Sequence, residues 1–436
     1  MSDLSHHCFS WRWFFALHLY RLASPLMLLL ALPSWLRKMT QRGGWGTPMG
    51  ERFGVYRDDA EWTRCGCTHI HAVSVGETLI ALKLIRQWHS QAPTPIVLAV
   101  STATAYQLAR PHASDFLSIV YAPLDLTWFV RSYLRRFEPA RLVLIEAEVW
   151  PILMSECQQS SIPVTMVNAR LSCRSEKRLK RFWPWIAPMY QAVSRIGVQG
   201  PEDDQRFRSL GIDPSRLTIT GSIKFDPSAA SLPQQREEFS QILAPLRKDQ
   251  HVVLAASTHD GEEALLAQAL AASPYFLVLV PRHAERRHDV LKALRAMGRK
   301  PWLRSDGIAP ESKNFDCLII DSTGELRDWT AHAHAVIIGK SFLASGGQNP
   351  AEAIVARIPV ITGPHMENFE PLQSQLLARQ GICQVDTAEA IPAVLDHWFA
   401  HAAEREALCD RAWQVLGQHH NATSLSIELI EQDAAR

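Results

Sequence analysis

From His69 onward, short apolar runs alternate with amphipathic helical patterns, and this rhythm restricts the chain to an α/β fold. HIHAV, PIVLAV, FLSIVYA, RLVLIEAE, PVTMVNA and VSRIGVQG read as buried strands, and segments such as TLIALKLIRQWH read as the helices between them. Strands that are apolar throughout, joined by helical crossovers, belong to a doubly wound parallel sheet with both faces covered. The rhythm breaks after LTITGSIKFDP, at the polar stretch SAASLPQQ, and resumes with HVVLAAS, YFLVLV, CLIID, HAVIIG and IPVIT. At 436 residues the chain is too long for one ordinary core. Two α/β halves joined near residues 225–250 fit better than one very wide sheet. The expected divisions are 1–50 ahead of the first domain, 51–225 as an N-terminal α/β domain and 226–436 as a C-terminal one.

Ligands of such sheets bind beyond the carboxyl ends of the strands. The loops to inspect are Ser74–Glu77, Ser101–Thr104, Glu146–Trp150, Asn168–Arg170, Ser257–Glu263, Pro281–His283, Asp321–Leu326 and Gly346–Glu352, nearly all polar, small or charged. The densest stretch is Asp321–Phe369. Within it GKSFLASGGQNPAEA reads as a strand end, a glycine-rich loop and a helix with Asn349 at the N-cap, Pro350 at N1 and Glu352 at N3. Glycine pairs ahead of a helix start let backbone N–H groups close on an anion, and an acidic residue one turn in can hold ribose hydroxyls. This reads as a nucleotide or sugar-phosphate site. Ser74-x-x-Glu77, Asp260-x-x-Glu263 and Asn349-x-x-Glu352 all have capping-box spacing, so a helix cap is the plainer account of each acidic residue. Glu77, on the basic half, also suits a general base, and spacing alone leaves both roles open. VPRHAERR sets Arg282 and His283 directly after a strand, where an arginine fork matches phosphate or carboxylate and a solvated turn is an equal account. GSIKFDP sets Lys224 at the junction of the halves.

The net charge of +1 conceals a segregation: residues 1–200 hold 22 Lys+Arg against 13 Asp+Glu, and the rest hold 23 against 31. A basic half that meets an anionic surface, joined to an acidic half, is the natural reading. RSEKRLKRFWPWIAPMY interleaves Lys177, Arg178, Lys180 and Arg181 with Phe182, Trp183 and Trp185, and TWFVRSYLRRF repeats the mixture around Arg131, Arg135 and Arg136. Such segments suit a membrane interface with lipid phosphates, and a charged helix face with buried aromatics is the alternative. No nucleic-acid module is legible, and no nucleic-acid partner is expected. The N-terminal FFALHLYRLASPLMLLLAL is followed by Arg37, Lys38 and Arg42. His18, Arg21 and Pro25 spoil a clean spanning helix and Leu22–Leu32 alone is too short, so an anchor or in-plane segment is expected. The basic residues after it favour the cytoplasmic side for the bulk of the protein. Cys65-Gly66-Cys67 is too tight for a zinc ribbon, and the eight scattered cysteines read as free thiols. No Asp-x-Asp pair occurs, and neither His69-x-His71 nor His332-x-His334 has a third ligand nearby, so neither a metal nor a cofactor is expected.

In chain order, HAVSVGE, EAEVWP, VNARLS, GSIKFD, STHDGEE, VPRH, STGEL, GGQNPAEA and GPHMENF resemble the motifs of the Kdo transferases of lipopolysaccharide assembly. The resemblance covers almost the whole chain, and the ordered set is far more specific than any one motif. It implies the GT-B glycosyltransferase fold: two Rossmann-like domains facing a central cleft, with an N-terminal membrane anchor. It further implies inverting, metal-independent transfer of Kdo from CMP-Kdo to a hydroxyl of a lipid A precursor, at the cytoplasmic face of the inner membrane. Residues 51–225 would bind the acceptor and 226–436 the nucleotide sugar. Glu77 stands where the family has its catalytic base. Arg282 and His283 fall on the Pro-Arg-His motif, and Gly324, Glu325, Gly347, Asn349 and Glu352 on the CMP-binding segments, with Lys224 added to the donor set. Glu148, Arg174, Lys177 and Arg178 are assigned to the acceptor or cleft. Lys340, Gln348, Ala353 and Ser222 stand where the usual form has glycine, histidine, proline and asparagine. Lys340 adds charge beside the donor site, which leaves donor affinity and identity open. The alternatives are a GT-B transferase using another nucleotide sugar on a lipid, and a silent lipid-binding paralogue.

Overall fold

The computed structural model describes residues 11–41, 46–56, 66–228, 232–247, 249–310 and 314–434. Arg42, Cys65, the Lys38 side chain and part of SAASLPQQ lie outside what is described. The chain divides into two compact units, Met1–Ala229 with Asn421–Arg436, and Ala230–His420.

The first unit holds β1 (Thr68–Ala72), β2 (Ile96–Val100), β3 (Leu117–Tyr121), β4 (Arg141–Ile145), β5 (Val164–Ala169), β6 (Arg195–Val198) and β7 (Leu217–Ile219). They form one parallel sheet in the order β3-β2-β1-β4-β5-β6-β7. The chain builds outward from β1 to β3, then crosses back to continue at β4, so the topological switch lies between β1 and β4. The central strands are buried on both faces, which is why their sequences show continuous apolar runs and no alternation. His69 and His71 sit inside β1, where burial pulls their pKa values down to about 3 and about 4 and keeps the rings neutral. They are core histidines.

The second unit repeats the plan with β8 (Val252–Thr258), β9 (Phe276–Pro281), β10 (Pro301–Leu303), β11 (Cys317–Ile319), β12 (Ala335–Ile338), β13 (Val360–Thr362) and β14 (Cys383–Gln384). The order is β10-β11-β9-β8-β12-β13-β14, all parallel, with the switch between β8 and β12. The edge strands β10 and β14 carry too few residues to show a period, and no sequence pattern announces them.

The last helix, Ala422–Ala434, belongs to the first unit, whereas the sequence reading ran the C-terminal domain through to residue 436. Ile427 and Ile430 are buried in the first unit's core. Asp226 accepts from the Thr423 backbone N–H at 2.8 Å and its hydroxyl at 2.7 Å, which places a carboxylate at the helix N-terminus. Thr165 donates to Asp433 at 2.8 Å and the Trp88 indole to Glu431 at 3.0 Å, fastening the far end.

The N-terminal helix is continuous over Trp11–Gln41 although it contains Pro25 and Pro33, so the expected interruption does not occur. His18 Nδ1 turns back to within 2.8 Å of the Phe14 carbonyl oxygen, and Arg21 donates to the buried Glu156 at 3.4 Å. The other Glu156 oxygen accepts from Arg131 Nε at 2.7 Å. Trp13 and Leu17 enter the first unit's core, and Trp11 and Phe15 lie against Trp185. Leu22, Leu26, Leu29 and Leu30 remain exposed. By length and composition alone, Trp11–Ser34 suffices to cross a membrane. The two basic-aromatic segments prove mixed: Tyr133 and Phe137 are core residues, while Trp128, Phe182 and Trp185 stay exposed.

Asp226→Ala should destabilise the first unit by about 2–3 kcal/mol, because it orphans a buried N–H and hydroxyl at a helix start. Hydrogen bonds from Ser228 and Thr423 outweigh burial and hold the Asp226 carboxyl below its ordinary value. A depressed carboxyl stabilises above its unfolded pKa, so the Asp226 contribution should be full at neutral pH and vanish as acid protonates the folded state. Urea titration of both proteins at neutral pH and below about pH 3 checks the sign.

Candidate active site

At the β1/β4 switch of the first unit, three carboxylates gather. Glu77 lies in the first turn of helix Val75–Gln91 and is buried. Ser74 caps that helix, accepting from the Glu77 N–H at 3.2 Å. The Glu77 carboxylate folds back, taking the Val73 N–H at 2.7 Å on one oxygen and the Ser74 hydroxyl at 2.7 Å on the other. The capping box read from the sequence is present, and it fixes the carboxylate in place. Glu146, immediately after β4, has left-handed backbone with φ 64°. Burial raises its pKa, with Glu77 adding to the rise and Arg170 and Lys224 opposing it. Glu148 is raised by burial and then by Glu77. The sequence places Glu146 and Arg170 in loops to inspect, but it assigns a role only to Glu148. No pattern marks Glu146 in the sequence, since its unusual φ is set by the fold.

Lys224 arrives on the loop after β7. Asn168, left-handed at φ 55° near the end of β5, accepts from the Ile223 N–H at 2.9 Å, with the Ser222 hydroxyl at 3.4 Å. From helix Val75–Gln91, the Lys83 ammonium donates to the carbonyls of Ile223 at 2.7 Å and Asp226 at 3.0 Å. The element that carries Glu77 therefore also holds the Lys224 loop. Arg178, on helix Cys173–Gln191, approaches the same region: burial pushes the Tyr190 phenol up to about 12, with Glu148 adding and Arg178 opposing. Arg174 and Lys177 are exposed on that helix and pair with no carboxylate among the described residues.

In the second unit the loops after β8, β9 and β12 are tied together by two adjacent carboxylates. Glu262 is fully buried and accepts four backbone N–H groups. His259 at 2.9 Å and Lys340 at 2.6 Å share Oε2, while Ser341 at 3.0 Å and Phe342 at 3.1 Å share Oε1. Glu263 accepts the Thr258 hydroxyl at 2.9 Å and Arg286 Nη1 at 2.9 Å, the latter from the loop after β9. The Asp260-x-x-Glu263 capping box is therefore corrected. Gly261, at φ 85°, forms the N-cap without a side-chain bond, Asp260 reaches outward to Arg286, and Glu262 is the carboxylate that folds back. The donors near Glu262 come from a loop 78 residues later in sequence, a tertiary demand that local spacing does not reveal.

The late glycine-rich segment also shifts by one position. Pro350 forms the N-cap of the helix Ala351–Val355, and Asn349 Oδ1 accepts from the Ala351 N–H at 3.1 Å. Glu352 does not close a capping box; burial raises its carboxyl, opposed by Arg327 and Arg282. At Gly347, φ 66°, a Cβ would stand 2.3 Å from Met366 Sδ, and at Gly339 one would stand 2.5 Å from the Ser257 carbonyl oxygen. No side chain fits at either position. Gly324, φ 81°, turns the chain into Glu325. Although burial would raise it, Glu325 is held below its ordinary value by Arg304, Ser322 and Trp329. Arg304 grips it through Nε at 3.0 Å and Nη2 at 3.1 Å, so that carboxylate is occupied.

The cations of this unit fall into two sets. Arg286, Arg304 and Arg327 are all in ion pairs. Arg282, His283 and Lys340 form no ion pair among the described residues. His283 lies with its ring 6.2 Å from that of His259, and Gln348 Nε2 is 3.1 Å from His259 Nε2. Burial, then Lys340, pulls the His259 pKa down. Neither His259 nor the His259–Lys340 proximity was singled out from the sequence.

Residues 47–227 match the family model described as 3-deoxy-D-manno-octulosonic-acid transferase (kdotransferase). The chain is 29% identical to a 3-deoxy-D-manno-octulosonic acid transferase of Haemophilus influenzae, over 97% of this chain and 98% of that one. It is 29% identical to the transferase of the same name from Bordetella pertussis, over 92% of this chain and 96% of that one. Among solved structures, a UDP-GlcNAc 2-epimerase from Neisseria meningitidis aligns at a TM-score of 0.53 with 12% identity, covering 84% of this chain and 100% of that one. At that identity the likeness is one of fold.

Glu262→Gln should destabilise the second unit by about 2–4 kcal/mol, since an amide turns N–H groups toward donors that need an acceptor. Lys340 adopts φ 56°, a left-handed conformation that glycine accepts freely. Lys340→Gly should therefore stabilise by about 0.5–1 kcal/mol, the strain relieved exceeding the added chain entropy. Thermal unfolding of the two variants should move in opposite directions.

Proposed function

We propose that this chain is a Kdo transferase, as the family model matched over residues 47–227 and relatives 29% identical over 97% and 92% of the chain support, and that it moves Kdo from CMP-Kdo to a hydroxyl of a lipid A precursor, with inversion and with Glu77 as general base. The supporting observation is the state of the Glu77 carboxylate. It is buried at a topological switch point, fixed by the Val73 N–H and the Ser74 hydroxyl, and each of its oxygens keeps a further lone pair.

In the proposed step, the acceptor oxygen attacks the anomeric carbon of the donor sugar and its proton passes to Glu77. The new glycosidic C–O bond forms as the bond from that carbon to the CMP phosphate oxygen breaks, and CMP departs with the electron pair. The sugar passes through an oxocarbenium-like state, so negative charge develops on the leaving phosphate. Arg282, His283 and the glycine-rich turn through Gly347 are the groups assigned to that charge. Glu352 and the Gly324 turn are assigned to the nucleoside, Asn349 to holding the helix start, and Lys224, beside Glu146, to the same donor set. Glu148 and Arg178, with Arg174 and Lys177 along the same helix, are assigned to the phosphorylated acceptor.

The exposed apolar face of Trp11–Gln41, with Trp185 beside its start, supports attachment to the inner membrane. The basic character of the first 200 residues supports the cytoplasmic side, where anionic headgroups attract Lys and Arg.

Purified protein should release CMP from CMP-Kdo in the presence of a lipid A precursor and should not turn over UDP-sugars. Turnover of a UDP-sugar in place of CMP-Kdo would favour the other-donor reading. Glu77→Gln keeps an acceptor for the Val73 N–H and should fold normally while CMP release falls by a factor of about 10²–10⁴. Release at the wild-type rate would remove Glu77 from the mechanism. Deleting residues 1–33 should move the protein from the membrane fraction to the supernatant.

A further inference from the structure

The loop after β12 puts a lysine where the backbone is left-handed, at φ 56°. Its backbone N–H is spent on Glu262 Oε2, the same oxygen that takes the His259 N–H, so the two side chains start from backbones pinned to one atom. β8 and β12 are neighbours in the sheet and the topological switch falls between them, so both residues stand where parallel sheets receive ligands.

The surrounding groups define what that position can hold. The Lys340 ammonium lies over the glycine pair, 3.6 Å from where a Cβ on Gly346 would stand. Gly347 closes the loop by donating to the Lys340 carbonyl at 3.0 Å. Gln348 holds His259 by its side-chain amide, which donates to His259 Nε2 and leaves the ring proton on Nδ1. His259 is thereby a neutral N–H donor beside a cation, with His283 as its ring neighbour. The nearby carboxylates are committed: Glu262 to four N–H groups, Glu263 to Arg286 and Thr258, and Glu367 to the Gly346 N–H at 2.6 Å. Lys340 forms no ion pair among the described residues, in contrast to the paired Arg286 and Arg304.

We infer that Lys340, with the Gln348-held His259, forms an oxyanion-binding contact for the donor, receiving either the nucleotide phosphate or the carboxylate of the transferred sugar. The inference rests on the proposed use of CMP-Kdo. It assigns Lys340 as an affinity and specificity determinant that accepts backbone strain to bring an unpaired positive charge to the donor.

The test compares wild type with Lys340→Gly, which suits the left-handed backbone, and Lys340→Met, which keeps length and strain but loses the charge. Equilibrium binding of CMP and of cytidine is measured for each, together with KM for CMP-Kdo. A phosphate contact predicts CMP affinity weakened about tenfold in both variants, with cytidine affinity unmoved. A carboxylate contact predicts CMP affinity unmoved and KM for CMP-Kdo raised by about the same factor. Both variants matching wild type within about twofold in CMP affinity and in KM would overturn the inference and leave the Kdo transferase reading intact. Wild type that neither binds CMP nor uses CMP-Kdo would overturn both.

Discussion

The second unit depends on one buried carboxylate. Glu262 replaces water for four backbone N–H groups from two loops that are far apart in sequence. Backbone donors without partners in the interior cost far more than made bonds return, so this carboxylate decides whether the loops after β8 and β12 can close. Its neighbour Glu263 extends the tie to the loop after β9 through Arg286. Three strand ends at the middle of one sheet thus share a single polar hub. The exposed Arg282 and His283, the glycine turn and Lys340 are all displayed from backbone that this hub fixes.

The first unit solves the same problem differently. There the order comes from Asn168 and Lys83, which hold the Lys224 loop, and from Ser74, which caps the helix that carries Glu77. Glu146 and Lys340 occupy equivalent places in the two sheets, each just beyond the strand across the switch from the first, and both are left-handed. Strained backbone at both switch points fits sites shaped for ligands at some cost in stability. Glu146 and Glu148, both raised by burial and by Glu77, further mark the first of these sites.

Much of the architecture was legible because its strands are apolar on both faces and its helices are amphipathic; eleven of the fourteen strands among the described residues fall in segments read as strands. The Ser74–Glu77 cap was legible because it is local. What escaped was tertiary. Glu262 was hidden because its donors lie in another loop, and Asp260-x-x-Glu263 offered a false local solution one residue away. Glu146 lay in a loop marked for inspection, but its left-handed backbone at φ 64° leaves no trace in composition. Arg21 looked like a flaw in an apolar helix until Glu156 met it. The terminal helix was assigned to the wrong half because its seat, Asp226 and the core around Ile427, is contributed by residues far upstream.

The chemistry proposed for this chain is the joining of Kdo to a lipid. The most direct measurement is the mass of a lipid A precursor after incubation with the purified protein and CMP-Kdo. The expected result is a gain of one or more Kdo residues, absent from the Glu77→Gln reaction over the same period. A lipid of unchanged mass in the presence of folded wild-type protein, or equal product from Glu77→Gln, would contradict it.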